Sequence, residues 1–299
     1  MDRTDTGILS VILSAVSFGL MPIFARLAYL QGVGVDELLF VRFLFAFLVA
    51  GAILKISGLL IIPKIQDLLV LIGLGALGYF LQSTLYFNSL LYSPVAIVAL
   101  LLYTYPVFVT IGAFALGWEK VSRRLTAAFI LAVIGLFLVA NPFGSPIGLG
   151  VFLSLGASVT YTIYILSGSK VLKRVRGIVA AFYVMGAASV SFGLAGAITG
   201  SIHLKWNFEG WLWVAMISLV CTVIAMTSFF IGLSRIGPSK AALISLIEPV
   251  TSVIVSTGLF GNALNISQWL GGILILTATA VTTLKHEARS KISSLELGN

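Results

Sequence analysis

Charge is what this sequence has least of. Only 9% of its 299 residues are Asp, Glu, Lys or Arg, against about 25% in ordinary soluble domains. Hydrophobic residues make up 59%, too many for the available charge to cover a water-facing surface, which excludes a soluble globule and leaves a polytopic helical membrane protein. Cysteine is nearly absent: Cys221 stands alone inside an apolar run, which excludes an intrachain disulfide and reads as a small buried hydrophobe. His203 and His286 fall outside the apolar runs, and Asp2, Asp5, Asp36 and Asp67 lie at ends or in loops. A zinc-protease helix and a buried aspartate pair are therefore both missing, which argues against an intramembrane enzyme. No catalytic, metal or cofactor residues are expected. No phosphate-binding loop occurs and no loop is long enough for a soluble domain, so any work must draw on gradients. Gly73-Leu74-Gly75-Ala76-Leu77-Gly78 matches a dinucleotide fingerprint in letters only, because it lies in an apolar span with no strand before it; small residues there read as close helix packing.

What is present is a succession of apolar runs long enough to cross a hydrocarbon core of ~30 Å as helix. Ten are predicted, near 7 to 30, 38 to 54, 68 to 89, 94 to 116, 125 to 140, 147 to 167, 178 to 199, 211 to 233, 239 to 260 and 266 to 284. The first is too long for a signal-peptide core and has no cleavage site behind it, so it reads as a retained helix. With the N-terminus inside, the inner segments hold 15 of the 18 basic residues, the outer loops only Lys205, and Arg26 and Arg42 lie within spans near the outer face. That bias places both termini in the cytoplasm. It also accounts for the net charge of +8 without nucleic acid, since the basic residues form no patch. Asn265-Ile266-Ser267 is a glycosylation sequon on the outer side, meaningful only in a eukaryotic secretory pathway.

The chain can be laid on itself. Placing Pro249-Val250 on Pro106-Val107 and keeping that register brings Ala242-Leu243 onto Ala99-Leu100, Tyr161 onto Phe18 and Phe230 onto Phe87. Residues 1–143 and 144–299 thus read as two five-helix repeats within one membrane domain. Five is odd, so the second copy enters the membrane in the opposite sense. Inverted repeats of this kind supply the two exchangeable conformations of secondary transporters around a central site.

Candidate contacts follow from polarity at depth. Glu248 lies nine residues into its span, about 13 Å of rise and close to the midplane. Pro249 beside it removes a backbone hydrogen bond, so the carboxylate could meet a cavity and bind a substrate amine or carry a proton; a protonated glutamate tying a kink to its neighbour is the structural alternative. Pro106, preceded by Tyr105, holds the matching place in the first repeat, and the two prolines form a candidate hinge pair, against simple bends for packing. Tyr79, Gln82 and Tyr86 share one face of the third span, Tyr161 and Tyr164 one face of the sixth, and Ser10, Ser14 and Ser17 one face of the first. An aromatic-walled cavity with a few hydrogen-bonding groups suits small amphipathic solutes; tyrosines also serve as interfacial belts and in packing. Arg42 is a candidate gate or carboxylate contact, with snorkelling to the headgroups as its alternative.

The sequence resembles the ten-helix, EamA-like branch of the drug/metabolite transporter superfamily. The likeness spans the whole chain and rests on Tyr103-Thr104-Tyr105-Pro106-Val107, Gly117-Trp118-Glu119-Lys120, Gly237-Pro238-Ser239-Lys240-Ala241-Ala242-Leu243, Glu248-Pro249-Val250 and Arg42 within Phe40-Val41-Arg42-Phe43. It departs from the family pattern at Phe18, Trp118 and Asn262. The resemblance implies an exporter in a bacterial inner membrane whose fourth and ninth helices border the central cavity, which adds Tyr103 to the candidate contacts. Within the family the chain is most similar to amino-acid exporters of the YddG type. The expected partners are membrane lipid and small molecules such as amino acids, with no nucleic acid and no cofactor. The oligomeric state stays open and a monomer is admissible. Export of another metabolite or drug on the same fold is the nearer alternative, and a passive channel is separated by counterflow.

Overall fold

The computed structural model describes residues 3–89, 92, 98, 101–118, 122–140, 148–260 and 266–283. The chain is all helical in these residues, and the helices follow the ten expected spans. They are α1 (Arg3–Leu30), α2 (Val35–Ile56), α3 (Ile65–Ser89), α4 (Tyr105–Ala115), α5 (Arg123–Ala140), α6 (Leu149–Val171), α7 (Gly177–Thr199), α8 (Phe208–Ile236), α9 in two pieces (Pro238–Ile244 and Ile247–Phe260) and α10 (Ile266–Thr283). Six of them, α1, α2, α3, α6, α7 and α8, are each long and apolar enough to cross a membrane as single helices. Helix is the form this sequence must take, because a chain in lipid has to satisfy every backbone polar group internally. The hydroxyls obey the same demand: Ser154 donates to the Gly150 carbonyl at 2.7 Å and Ser218 to that of Val214 at 2.7 Å. Large apolar side chains such as Leu48, Leu77, Phe152 and Leu194 point outward from the bundle, where a soluble protein would place charge.

The packing follows a pseudo-two-fold plan. The register that lays Pro249 on Pro106 carries α2 and α5 onto α7 and α10, and each packs against its own counterpart, while α4, carried onto the second piece of α9, packs against the first piece. The same register carries α1 onto α6 and α8 onto α3, and the α1–α8 contact is matched by an α6–α3 contact. Small residues permit the closest approaches. A Cβ on Gly75 would stand 2.3 Å from the Val184 carbonyl oxygen, and one on Gly232 would stand 2.3 Å from Val11. Gly75 and Gly78 of the run at 73–78 therefore serve helix packing, against Val184 and Tyr164, as its apolar setting implied. Two sharp reversals need positive φ: Gly200 ends α7 at φ 67° and Gly237 joins α8 to α9 at φ 82°, a region open to glycine at no steric cost.

Several helices are not regular: the breaks beside the paired prolines are those the sequence implied, while the π segments and the break in α1 are not announced by it. Leu74–Tyr79 in α3 and Leu219–Ile224 in α8 are π-helical, at nearly equivalent places in the two repeats. α1 is interrupted at Leu20, with Pro22 at the start of its second piece. α4 begins at Tyr105 after a turn at 103–104, and α9 breaks at Ser245 and Leu246, so each interruption falls just ahead of the paired prolines. The proposed boundary at 143/144, the Asn265 sequon, Asn262, Glu119, Lys120, Asp2, His286 and Ala99-Leu100 lie outside the described residues.

Candidate functional site

The irregular stretches of α1, α3, α4 and α9 converge on one cavity of about 80 Å³. That is room for several waters and below the ~300–1,000 Å³ of pockets that enclose drug-sized ligands. Eight of the expected contacts line it: Arg42, Tyr79, Gln82, Tyr86, Tyr103, Tyr105, Tyr161 and Glu248. Tyr164 stands one layer behind, its ring stacked 5.7 Å from that of Tyr161 and edge-on to Tyr79 at 5.7 Å. Ser17 is buried in α1 but is not among the lining residues; its neighbour Phe18 is. Successive side chains on a helix point about 100° apart, so only one of the two can face the centre. Pro106 and Pro249 sit immediately after the interruptions of α4 and α9 without lining the cavity.

Glu248 occupies the first turn of the second piece of α9, where helix-terminal N–H groups favour negative charge. Its carboxyl meets the Tyr103 hydroxyl, and the Tyr105 hydroxyl engages Ser245 in the α9 break. Hydroxyls on the two helices find backbone carbonyls: Thr110 donates to the Pro106 carbonyl at 2.8 Å, and Ser252 reaches across to the Gly19 carbonyl of α1 at 2.7 Å. Around these groups the tyrosines form a continuous wall. Tyr105 and Tyr161 meet edge to face at 4.7 Å, Tyr161 stacks on Tyr164, and Tyr164 meets Tyr79.

Arg42 does not snorkel. It is 2% exposed and is clamped between the two π-helical segments. Its Nε donates to Thr222 Oγ1 at 2.6 Å, and its Nη2 donates to the Tyr79 hydroxyl and to the Cys221 carbonyl, each at 3.3 Å. A π turn frees a carbonyl from the regular ladder, and the guanidinium takes it up on α8. The rings of Phe43 and Tyr79 lie 4.9 and 5.9 Å from the guanidinium carbon, a favourable desolvated cation–π geometry. The headgroup alternative thus gives way to a buried cation facing the same cavity as Glu248.

Sequence reasoning missed Met21, Pro22, Ser83, Phe87 and Leu102, which also line the cavity. Pro22 inside an apolar span was the available signal. It also missed two ties between the halves. Glu37 at the start of α2 accepts from the backbone N–H of His203 at 2.5 Å and Leu204 at 2.9 Å and from the Trp206 indole at 3.0 Å, fastening the α7–α8 loop. At the opposite end Asp67 of α3 is bridged by Arg174, whose Nε lies 2.9 Å from Oδ1. Among the described residues no three His, Cys, Asp or Glu side chains come together as a metal site.

The profile of the EamA-like transporter family matches residues 5–141 and again residues 148–284; the two matches stand in the same register as Pro106 and Pro249. An uncharacterized transporter of Archaeoglobus fulgidus is 28% identical over 91% of this chain and 94% of its own length. The uncharacterized inner membrane transporter YedA of Escherichia coli K12 is 27% identical over 57% of this chain and 54% of its own length. A crystal structure 19% identical in sequence superposes with a TM-score of 0.83 over 95% of this chain and 99% of the other, a likeness of fold. The chain belongs to the EamA-like transporter family: it is a membrane transporter of ten helices in two repeats, and not an enzyme. The names of these relatives specify no substrate, so the likeness to YddG-type exporters rests on the sequence.

Proposed function

We propose that this transporter exports amino acids, aromatic and others, and similar small amphipathic metabolites, by alternating access of two inverted five-helix halves divided near residue 143. The observation that carries the reading is the placement of Arg42 and Glu248 on one tyrosine-walled cavity. A cation and a carboxyl on opposite elements match the carboxylate and ammonium of a zwitterion, and the rings match an apolar side chain. Side chains must move to admit even an amino acid, and the breaks ahead of Pro106 and Pro249 are the places where the backbone yields most cheaply. The membrane is the bacterial inner membrane, in keeping with the name carried by YedA, and both termini face the cytoplasm, in keeping with the bias of the basic residues.

The test is counterflow in proteoliposomes with labelled aromatic, aliphatic and charged amino acids, and with sugar and nucleotide controls. Saturable exchange of amino acids that weakens in Glu248→Gln, with folding and monodispersity preserved, is the expected result. Folded protein that exchanges none of the amino acids would move the substrate to another class of metabolite on the same fold.

A further inference from the structure

A second and larger cavity, about 400 Å³, opens at the end of the bundle where α8 turns into α9. It lies between the ends of α6 and α8, the start of α9 and the loop ahead of α5, apart from the tyrosine-walled centre. Lys173 and Lys240 line it, with the hydroxyl-bearing Ser122, Ser169 and Ser234 and the indole of Trp118. The Lys173 ammonium stands 5.9 Å from the Trp118 ring, and Lys240 is half-buried. Among the described residues no carboxylate is paired with either lysine of this cavity; the nearby Arg174 is the residue that takes Asp67.

The repeat sharpens the point. In the register that lays Pro249 on Pro106, Lys173 and Lys240 fall on Leu30 and Ile97, so the corresponding positions of the first half carry no cations. Two ammonium groups that no described carboxylate neutralises, flanked by the Ser122 hydroxyl and an indole, form a recognition set for a phosphate; the Ser169 and Ser234 hydroxyls already donate to the Leu166 and Ile231 carbonyls. Tryptophan and lysine together mark the headgroup level of a bilayer, and basic pockets between helices at that level hold anionic headgroups.

The geometry points to a phosphate-binding site on Lys173 and Lys240, occupied by the headgroup of an anionic phospholipid. The site stands whether or not the transported solute is an amino acid, because its readout is lipid contact rather than transport. Trp118 is the reporter. In the full-length protein reconstituted in phosphatidylcholine, brominated phosphatidylglycerol or brominated phosphatidylcholine is titrated in, and the quenching of Trp118 is taken as wild type minus Trp118→Phe.

Each lysine should contribute about fivefold to the preference, so wild type should favour the anionic lipid by on the order of twentyfold. Lys173→Gln/Lys240→Gln should lose that preference while quenching by brominated phosphatidylcholine persists, which also shows that the variant is folded. Equal quenching by the two lipids in wild type overturns the site. Displacement of the anionic lipid by millimolar glycerol 3-phosphate overturns the lipid as its source and assigns the lysines to a soluble phosphate.

Discussion

The two halves of this transporter share a backbone plan and divide the chemistry unequally. α3 and α8 both carry a π-helical segment, and α4 and α9 are both interrupted before a proline. Along the cavity, however, Arg42, Gln82 and Tyr86 of the first half correspond to Met185, Ala225 and Phe229 of the second, while Glu248 of the second corresponds to Tyr105 of the first. Tyr79 and Thr222 are counterparts too, and they hold Arg42 from either side. Symmetry is therefore kept in the breaks of the backbone and given up in the polar side chains of the cavity, as the proposed hinges and substrate contacts require. α1 and α6 show the limit of the rule: Pro22 interrupts α1, whereas α6, with Ile165 in that position, runs unbroken for 23 residues.

Substitutions that erase this asymmetry test it best. Glu248→Gln removes the charge and keeps the shape; counterflow should fall on the order of ten- to hundredfold, the worth of a hydrogen bond to a charged group. Activity unchanged by this variant would strip the carboxyl of its assignment. Arg42→Met installs the residue of the second half. Loss of one charged contact predicts about a tenfold fall in amino-acid exchange, and the Cys221 carbonyl left without its donor predicts a stability loss of about 1–3 kcal/mol, read as a lower melting temperature. A melting temperature equal to wild type would mean that the clamp between the π segments holds nothing in place. Pro106→Ala and Pro249→Ala should each slow exchange severalfold at normal expression and monodispersity, and near-equal effects are expected if the breaks are paired hinges. If one variant is inert, the moving element lies in one half only. Gln82→Ala, again the residue of the second half, should cost only about two- to fivefold, a neutral hydrogen bond's worth; selectivity across the amino-acid panel is the measurement, and a larger fall would rank Gln82 with the charged groups.

The spans, the repeat and the depth of Glu248 could be read from the sequence because they are properties of composition and spacing. A proline that recurs at the same place in each half survives any ambiguity about packing. Eight of the ten side chains expected at the cavity line it, since a polar tip on an apolar helix has few other places to go. Arg42 resisted reading for a physical reason. At that depth a long cation can either reach water or be buried among acceptors, and the acceptors on α3 and α8 are 37 and 180 residues away. The π segments were equally hidden, because no residue type forces them. The Glu37 cradle and the Asp67–Arg174 bridge are likewise tertiary, and spacing along the chain says nothing of them. Ser17 shows the opposite case: a regular serine stripe fixes a buried helix face without saying that the face opens onto the cavity.

Cys221 gives the experimenter a reporter already in place. It is fully buried, the sole thiol of the chain, and its own carbonyl holds Arg42 at the centre of the bundle. Resting protein should therefore remain unmodified by water-soluble maleimides, and any labelling that appears during turnover would record the separation of α8 from α2. Pairs of cysteines introduced at the two ends could be spin-labelled with almost no background, and the distances between them would follow each half through the transport cycle.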